Sequence, residues 1–250
     1  MDKSYKTLLH AVKFGSILIA ILWIIHLYKY TTQQSLTNFG VFPREWDGVI
    51  GIFTAPLIHG GWGHLISNSV PLFVTTVIIH FFYKRVAISS FFLIYILTGF
   101  SVWLFGRSVY HIGASGVVYG LISFIFWSGI FRRNIKSIVL ALVVTILYSG
   151  YLGGIVPFKD GISWESHLLG AIVGIFIAFF LKSLIEADEE DINPWAHEED
   201  QELQYYFPRD VFAMTRFERA EAERQRVEAL RQAQWDTQRT ASDDSHFEQE

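Results

Sequence analysis

The sequence predicts an all-α membrane protein, a six-transmembrane-helix bundle followed by an acidic tail. Six apolar segments each come close to the roughly 20 residues that cross a bilayer core, and they are residues 14–30, 64–82, 87–105, 115–131, 137–153 and 166–186. The charge changes abruptly after them. Residues 187–250 contain 18 Asp and Glu and seven Arg, a net charge of −11, whereas residues 1–186 carry +7. We therefore expect a short N-terminus (1–13), a membrane body (14–186) and a soluble acidic tail (187–250).

The composition excludes several classes of function. Because the chain has no cysteine, disulfides, thiolate metal sites and cysteine catalysis are impossible. No basic patch suited to nucleic acid is present, and we expect neither a metal ion nor a cofactor. Three lysines precede the first apolar stretch, which lacks a small-residue cleavage site. We therefore expect a retained first helix and not a removed signal peptide.

The basic residues between the apolar segments predict the orientation. Six spans leave both termini on one side of the membrane. That side has Lys3, Lys6, Lys13, Lys84, Arg85, Arg132, Arg133 and Lys136, and the opposite side has Arg44, Arg107 and Lys159. The positive-inside rule then predicts a cell-membrane protein with cytoplasmic N- and C-termini. The second, fourth and sixth spans would start at the outer face.

Two connections and the tail have features of their own. The first connection, residues 31–63, is so apolar that we expect an amphipathic element in the outer interface, packed on the bundle. The fifth, residues 154–165, contains glycines and Pro157 and is predicted to be a mobile cap. The tail has helix propensity from residue 216 onward, with Glu and Arg three to four residues apart. We expect a solvated helix or a partly disordered tail, with a helix that binds a cytoplasmic partner as the alternative.

A serine between small residues opens the fourth apolar segment. It is Ser115, in the run Gly-Ala-Ser-Gly-Val-Val-Tyr-Gly from Gly113 to Gly120. Its neighbours Gly113 and Gly116 would let a substrate backbone approach, and a free N–H at the helix start could meet a negative oxygen. A nucleophile is one interpretation of this run. The other is a set of small residues that lets membrane helices pack closely.

A histidine could provide the base that a nucleophilic serine needs. His167 opens the sixth span, at the depth of Ser115 in the predicted orientation. Glycines four residues apart follow both residues, and such faces let two helices approach closely enough for a hydrogen bond between them. Because no Asp or Glu lies in a predicted span except Glu186, at the far end of the sixth, we expect a dyad and not a Ser-His-Asp triad. Tyr119, one turn below Ser115, could stack on the imidazole in place of a carboxylate.

A second polar pair opens the second span. His64 and Asn68 are four residues apart, so both project from one face of a helix. Donors at that level suit an oxyanion hole, together with the backbone N–H of Ser115.

These residues together resemble the rhomboid intramembrane serine proteases. The resemblance covers residues 14–186 and rests on three motifs in the family's order and spacing, which are GASGxxxG from Gly113, HxxxN from His64 and HxxGxxxG from His167. It implies a rhomboid-like six-helix fold, with endoproteolysis of single-pass transmembrane proteins in the lipid bilayer, near the outer face. The resemblance implies that Ser115 is the nucleophile, that His167 is the base, and that His64 and Asn68 are the oxyanion donors. It also implies that Tyr119 is the ring that supports His167, that Gly113 and Gly116 flank the nucleophile, and that His59 is a structural histidine.

Two segments depart from the family pattern, and two alternative functions remain. Ile50-Gly51-Ile52 stands where a Trp-Arg pair is common, and Trp164-Glu165-Ser166 stands where small residues are common. The loop packing and the gate would therefore differ locally. A catalytically inactive relative would bind transmembrane helices without cutting them, although the intact Ser115 and His167 favour an enzyme. A metalloprotease or metal transporter would use the histidines, but their spacing is poor and no HExxH is present.

Overall fold

The computed structural model describes residues 3–133, 135–155, 163–184 and 214–247, and eight α-helices lie in these ranges. Six of them correspond to the apolar segments, and these are α1 (Lys3–Thr32), α3 (Trp62–Phe82), α4 (Ala87–Phe105), α5 (Ser115–Arg132), α6 (Ile135–Tyr148) and α7 (Trp164–Phe180). The other two are α2 (Gly51–Thr54) and α8 (Arg216–Phe247). Because the described residues form no β-strand, the all-α prediction is confirmed.

Within the described part of the chain, four helices are long and apolar enough to cross a membrane, and they are α1 from Ser4 onward, α3, α4 and α5. Helices α6 and α7 are also apolar but shorter, with 14 and 17 residues, and α6 continues as a 3₁₀-helix over Ser149–Ile155. Their outer faces carry large apolar side chains, such as Ile146 at 75% exposure and Phe180 at 64%. Such faces suit lipid surroundings and are costly in water. The structure therefore describes a multi-pass membrane protein, while the count of six spans stays a prediction.

Helix α5 is the centre of the membrane bundle. It packs against α3, α4, α6 and α7, while α1 packs against α3. Its side chains Val118, Leu121, Phe124 and Ile125 are completely buried. Because this helix begins at Ser115, the whole bundle holds the serine in place.

Four helices begin earlier than the apolar pattern predicts, and they are α1, α3, α6 and α7. Helix α1 starts at Lys3 and not near residue 14, because lysines are good helix formers whose long side chains reach toward water. Helix α7 starts at Trp164 and not at residue 166. The prediction that no acidic residue except Glu186 lies in a span segment is therefore wrong for α7, since its first turn contains the buried Glu165. The positive end of the helix dipole favours an acidic side chain there.

The first connection is folded against the bundle, as the sequence predicts. Besides α2 it contains three short 3₁₀-helices, Thr37–Phe39, Trp46–Gly48 and Ala55–Leu57. Its apolar side chains divide between two faces, because Ile52 and Ile58 are buried whereas Trp46 is 84% exposed and Phe53 52% exposed. An isolated antiparallel bridge joins Val41 to His111 in the α4–α5 connection. The connection is therefore amphipathic, and its depth in the bilayer interface stays a prediction.

Most of the predicted cap and much of the tail lie outside the described residues, which omit 156–162, 185–213 and 248–250. The end of the tail is the helix α8, which confirms the helical part of that prediction. A capping box begins it, since the backbone N–H of Thr215 donates to the Glu218 carboxylate at 2.8 Å and the Glu218 N–H donates to Thr215 Oγ1 at 3.3 Å. Its thin apolar stripe, which includes Phe217 and Leu230, is exposed.

Candidate active site

A tight turn before α5 presents Ser115 at the first position of the helix. The turn depends on Gly113, whose φ of +110° is a conformation that other residues rarely adopt. A Cβ at this position would also lie 2.6 Å from the His64 ring. The first N–H groups of a helix have no partner within the helix, so the serine hydroxyl sits beside free backbone donors. The local sequence thus places a nucleophile and potential anion donors together.

His167, at the end of the first turn of α7, lies within hydrogen-bond distance of that serine. Its Nε2 is 2.8 Å from Ser115 Oγ, and its Nδ1 is 2.8 Å from the carbonyl oxygen of Gly154. A carbonyl oxygen can only accept, so Nδ1 of the neutral imidazole carries the proton. Nε2 is then the acceptor and faces the Ser115 hydroxyl. This is the tautomer that a general base requires.

The ring of Tyr119 holds the imidazole from one side. The two rings stack with centroids 4.2 Å apart and an angle of 12°. The Tyr119 hydroxyl in turn donates to the carbonyl oxygen of Tyr151 at 2.5 Å. Because a Cβ on Gly154 would collide with this hydroxyl, a glycine is required where the chain passes His167. Two backbone carbonyls therefore fix the ring pair, and neither was identifiable from residue types alone.

Glycines bring α5 and α7 into backbone contact. A Cβ on Gly170 would collide with the Gly116 carbonyl oxygen, and one on Gly174 would collide with the carbonyl oxygen of Gly120. The predicted close packing of these two faces is confirmed. Since Ser115 precedes one face and His167 precedes the other, the packing sets their separation.

His64 and Asn68 line a large cavity that Ser115, Tyr119 and His167 also line. The volume of this cavity is about 1050 Å³. Asn68 is buried, and its amide donates to the backbone oxygen of His64 at 2.9 Å. The cavity is also lined by the glycines of the 3₁₀-helix that follows α6. A substrate backbone in the cavity would thus meet the serine, the histidine and the candidate donors together.

His59 supports the turn before Ser115 from behind. It is 1% exposed, and its Nε2 accepts the backbone N–H of Ala114 at 3.4 Å. Burial, and to a lesser degree the nearby His64, lowers the pKa of His59 to about 3, so the ring stays neutral and able to accept. Lys29, at the end of α1, donates to the carbonyl oxygens of His59 and Gly60 at 2.8 and 2.9 Å. No motif or spacing in the sequence indicates this role of Lys29.

Glu165 does not complete a triad with His167. Its Oε1 pairs with Nε of Arg107 at 3.0 Å, whereas Nδ1 of the imidazole is bonded to Gly154. Among the described residues, no group of three or more His, Asp and Glu side chains is placed to hold a metal ion. The arrangement therefore suits serine chemistry with a two-residue nucleophile and base.

A comparison with protein families matches the sequence to a known domain. Residues 47–184, more than half of the chain, match the family described as Rhomboid domain. The chain belongs to the rhomboid family. The matched region of this rhomboid begins in the first connection and includes the three sequence motifs, whereas α8 lies outside it.

Several bacterial proteins are similar in sequence to this rhomboid. "Uncharacterized protein Rv1337" of Mycobacterium tuberculosis is 34% identical over 178 residues, which are 66% of this chain and 72% of the relative. "Uncharacterized protein ML1171" of Mycobacterium leprae is 32% identical over 178 residues, or 66% of this chain and 69% of the relative. "Putative rhomboid protease YdcA" of Bacillus subtilis is 26% identical over 188 residues, which cover 67% and 86%.

Proposed function

We propose that this rhomboid is an intramembrane serine endopeptidase that cleaves transmembrane segments of single-pass membrane proteins. The observation that carries the proposal is the 2.8 Å contact between Ser115 Oγ and His167 Nε2, at the wall of a cavity of about 1050 Å³. Membership of the rhomboid family supports the same chemistry. An inactive relative that only binds helices would have no use for an imidazole held in the base tautomer.

The dyad would act in two steps. Ser115 Oγ attacks the scissile carbonyl carbon while its proton passes to His167 Nε2, and the imidazolium then protonates the leaving amine. Water later attacks the acyl-enzyme, with His167 again as the base. The Gly154 carbonyl and the Tyr119 ring keep the imidazole oriented throughout, as a carboxylate does in a triad.

The oxyanion of each tetrahedral intermediate would be bound by His64, Asn68 and the backbone N–H of Ser115. Both side chains lie on the first two turns of α3 and line the cavity that contains the serine. Removing one such donor costs about 10²–10³-fold in kcat in other serine enzymes. The Asn68 amide would turn from the His64 carbonyl oxygen toward the substrate, a change that side-chain rotation permits.

The proposal also includes the membrane topology. All six apolar helices would cross the bilayer of the cell membrane. The shorter helix α6 continues as 3₁₀ turns, and the bilayer would be thinner beside α7. Both termini would be cytoplasmic by the positive-inside rule, which puts Ser115 near the extracytoplasmic face. The tail from residue 187 would then be cytoplasmic, where the exposed helix α8 could bind a partner.

Cleavage of a test helix in liposomes tests the proposal. Purified protein is reconstituted with a single-pass segment that contains small residues near its outer end. We expect cleavage by the wild type, none by Ser115→Ala or His167→Ala, and slower cleavage by Asn68→Ala. Full activity in Ser115→Ala would refute the assignment of Ser115 as the nucleophile. If the wild type and all variants bind the test helix and none cleaves it, the protein is a catalytically inactive relative that binds helices.

A further inference from the structure

The connections that precede the two dyad residues are joined by polar side chains. His111 lies four residues before Ser115, and Ser163 lies four residues before His167. Nδ1 of His111 is 2.5 Å from Ser163 Oγ. The link thus joins equivalent points of the two segments that deliver the nucleophile and the base.

This link is one half of a closed network. Nε2 of His111 is 3.0 Å from the carbonyl oxygen of Arg107, and Ser163 Oγ is 2.6 Å from Ser166 Oγ. The Arg107 guanidinium returns to α7 through its ion pair with Glu165. The α4–α5 connection and the first turn of α7 are therefore held together at two places.

The directions of these hydrogen bonds are mutually consistent. The Arg107 carbonyl can only accept, so Nε2 of neutral His111 donates to it and Nδ1 accepts the Ser163 hydroxyl proton. Ser163 Oγ is then able to accept from Ser166. Burial lowers the pKa of His111, which favours this neutral form. The imidazole and the two hydroxyls therefore form one chain of compatible donors and acceptors, and Glu165 joins the network through Oε1 alone, since its Oε2 is buried without a partner.

The ion pair between Arg107 and Glu165 reaches a largely buried carboxylate in α7, so it constrains the position of this helix. The Glu165 side chain is 9% exposed and that of Arg107 is 52% exposed. Glu165 precedes His167 by two residues in the same helical turn. Any shift of this turn toward or away from the α4–α5 connection would therefore move the imidazole relative to Ser115.

We propose that Arg107, His111, Ser163, Glu165 and Ser166, here named the dyad clamp, are positioning residues that set the distance between Ser115 and His167. The clamp rests on the proposed function, since it positions that dyad. A displacement of about 1 Å at reacting groups can cost about 100-fold in rate, so such a link has a large effect on turnover.

Two variants test the clamp from its two halves. Glu165→Gln removes the charge of the ion pair, and Ser163→Ala removes the hydroxyl link while leaving the ion pair intact. Glu45→Gln is the matched control, because Glu45 is an exposed carboxylate in the first connection, outside the dyad clamp. Four quantities are measured for each, and these are kcat and KM for a test helix, the rate of fluorophosphonate labelling at Ser115, and the thermal midpoint.

We expect kcat and the labelling rate to fall together by about tenfold in both clamp variants, with KM unchanged and wild-type values in Glu45→Gln. A lower thermal midpoint with unchanged kcat and labelling would overturn the proposal, because the clamp would then be purely structural. A rise in KM alone would also overturn it. Labelling requires the dyad but no particular helix substrate, so it tests the clamp even if the cleavage assay fails. Absence of both activities in the wild type would instead refute the proposed function.

Discussion

At the scale of single residues, the imidazole of His167 is oriented without a carboxylate. Its Nδ1 donates to a backbone carbonyl, and one face lies on the Tyr119 ring. A carbonyl oxygen has no full charge and stabilises the imidazolium less than a carboxylate does. Stacking on the Tyr119 ring therefore contributes more to the orientation of the His167 imidazole than ring stacking does in an enzyme with a Ser-His-Asp triad.

Two substitutions at Tyr119 separate its ring from its hydroxyl. Tyr119→Phe keeps the stacked ring and removes only the hydrogen bond to the Tyr151 carbonyl, so we expect kcat to fall by about fivefold or less. Tyr119→Ala removes the ring, and kcat should fall by at least about tenfold because the imidazole gains freedom. Steady-state kinetics on a reconstituted test helix measure both. Equal losses in the two variants would show that the hydroxyl, and not the ring, orients the base.

Neutral His59 makes stability depend on pH. Its folded-state pKa of about 3 lies below the ordinary value of 6.5, so the unfolded chain takes up a proton that the folded protein does not. Stability from this residue is full above about pH 6.5 and is lost as the pH falls toward 3. We expect the thermal midpoint in detergent to fall across that window, and to fall less steeply in His59→Asn. Parallel pH profiles of the two proteins would contradict a role for His59 titration.

At the scale of elements, the glycines of α5 and α7 decide how closely the dyad helices approach. A Cβ on Gly170 would meet backbone atoms of Gly116, which cannot rotate away. Gly63, in the first turn of α3, has open space around its Cβ position. The two glycines therefore differ in what an added methyl group does, although both lie in helices.

We expect Gly170→Ala to lower the thermal midpoint and the activity together, because α7 must move away from α5 and carry His167 with it. Gly63→Ala should leave activity unchanged and should not lower the midpoint, since alanine is the better helix former by about 1 kcal/mol. Thermal unfolding in detergent and cleavage of a test helix measure these effects. Wild-type activity in Gly170→Ala would mean that the helix contact does not set the dyad distance.

The helices and the main site residues could be predicted from sequence because their signals are local. Apolar runs mark α1, α3, α4 and α5, and residue type with spacing marks Ser115 and His167. Other parts could not be predicted for physical reasons. The carbonyl oxygens of Gly154 and Tyr151 belong to the backbone, which every residue has, so composition does not reveal their roles. The pairing of Arg107 with Glu165 joins positions 58 residues apart, and no helical or strand periodicity connects them.

At the scale of the whole molecule, the proposed cleavage near the outer face requires one orientation of the chain in the membrane. The natural absence of cysteine makes that orientation measurable with single introduced thiols. Asp47 in the first connection, Lys84 after α3 and Gln232 in α8 are all exposed. A membrane-impermeant maleimide should label Asp47→Cys in intact cells, and should label Lys84→Cys and Gln232→Cys only after permeabilisation. The reverse pattern would place Ser115 at the cytoplasmic face and contradict the proposed topology.

The reaction of Ser115 with a fluorophosphonate tests whether this serine is a nucleophile that His167 activates. Purified wild type, Ser115→Ala and His167→Ala are treated with the reagent, and the adduct is located by mass spectrometry. The account predicts a single adduct on Ser115 in the wild type, none in Ser115→Ala, and labelling at least about 100-fold slower in His167→Ala. An unmodified Ser115 in active wild-type protein, or equal labelling rates in the wild type and His167→Ala, would contradict it.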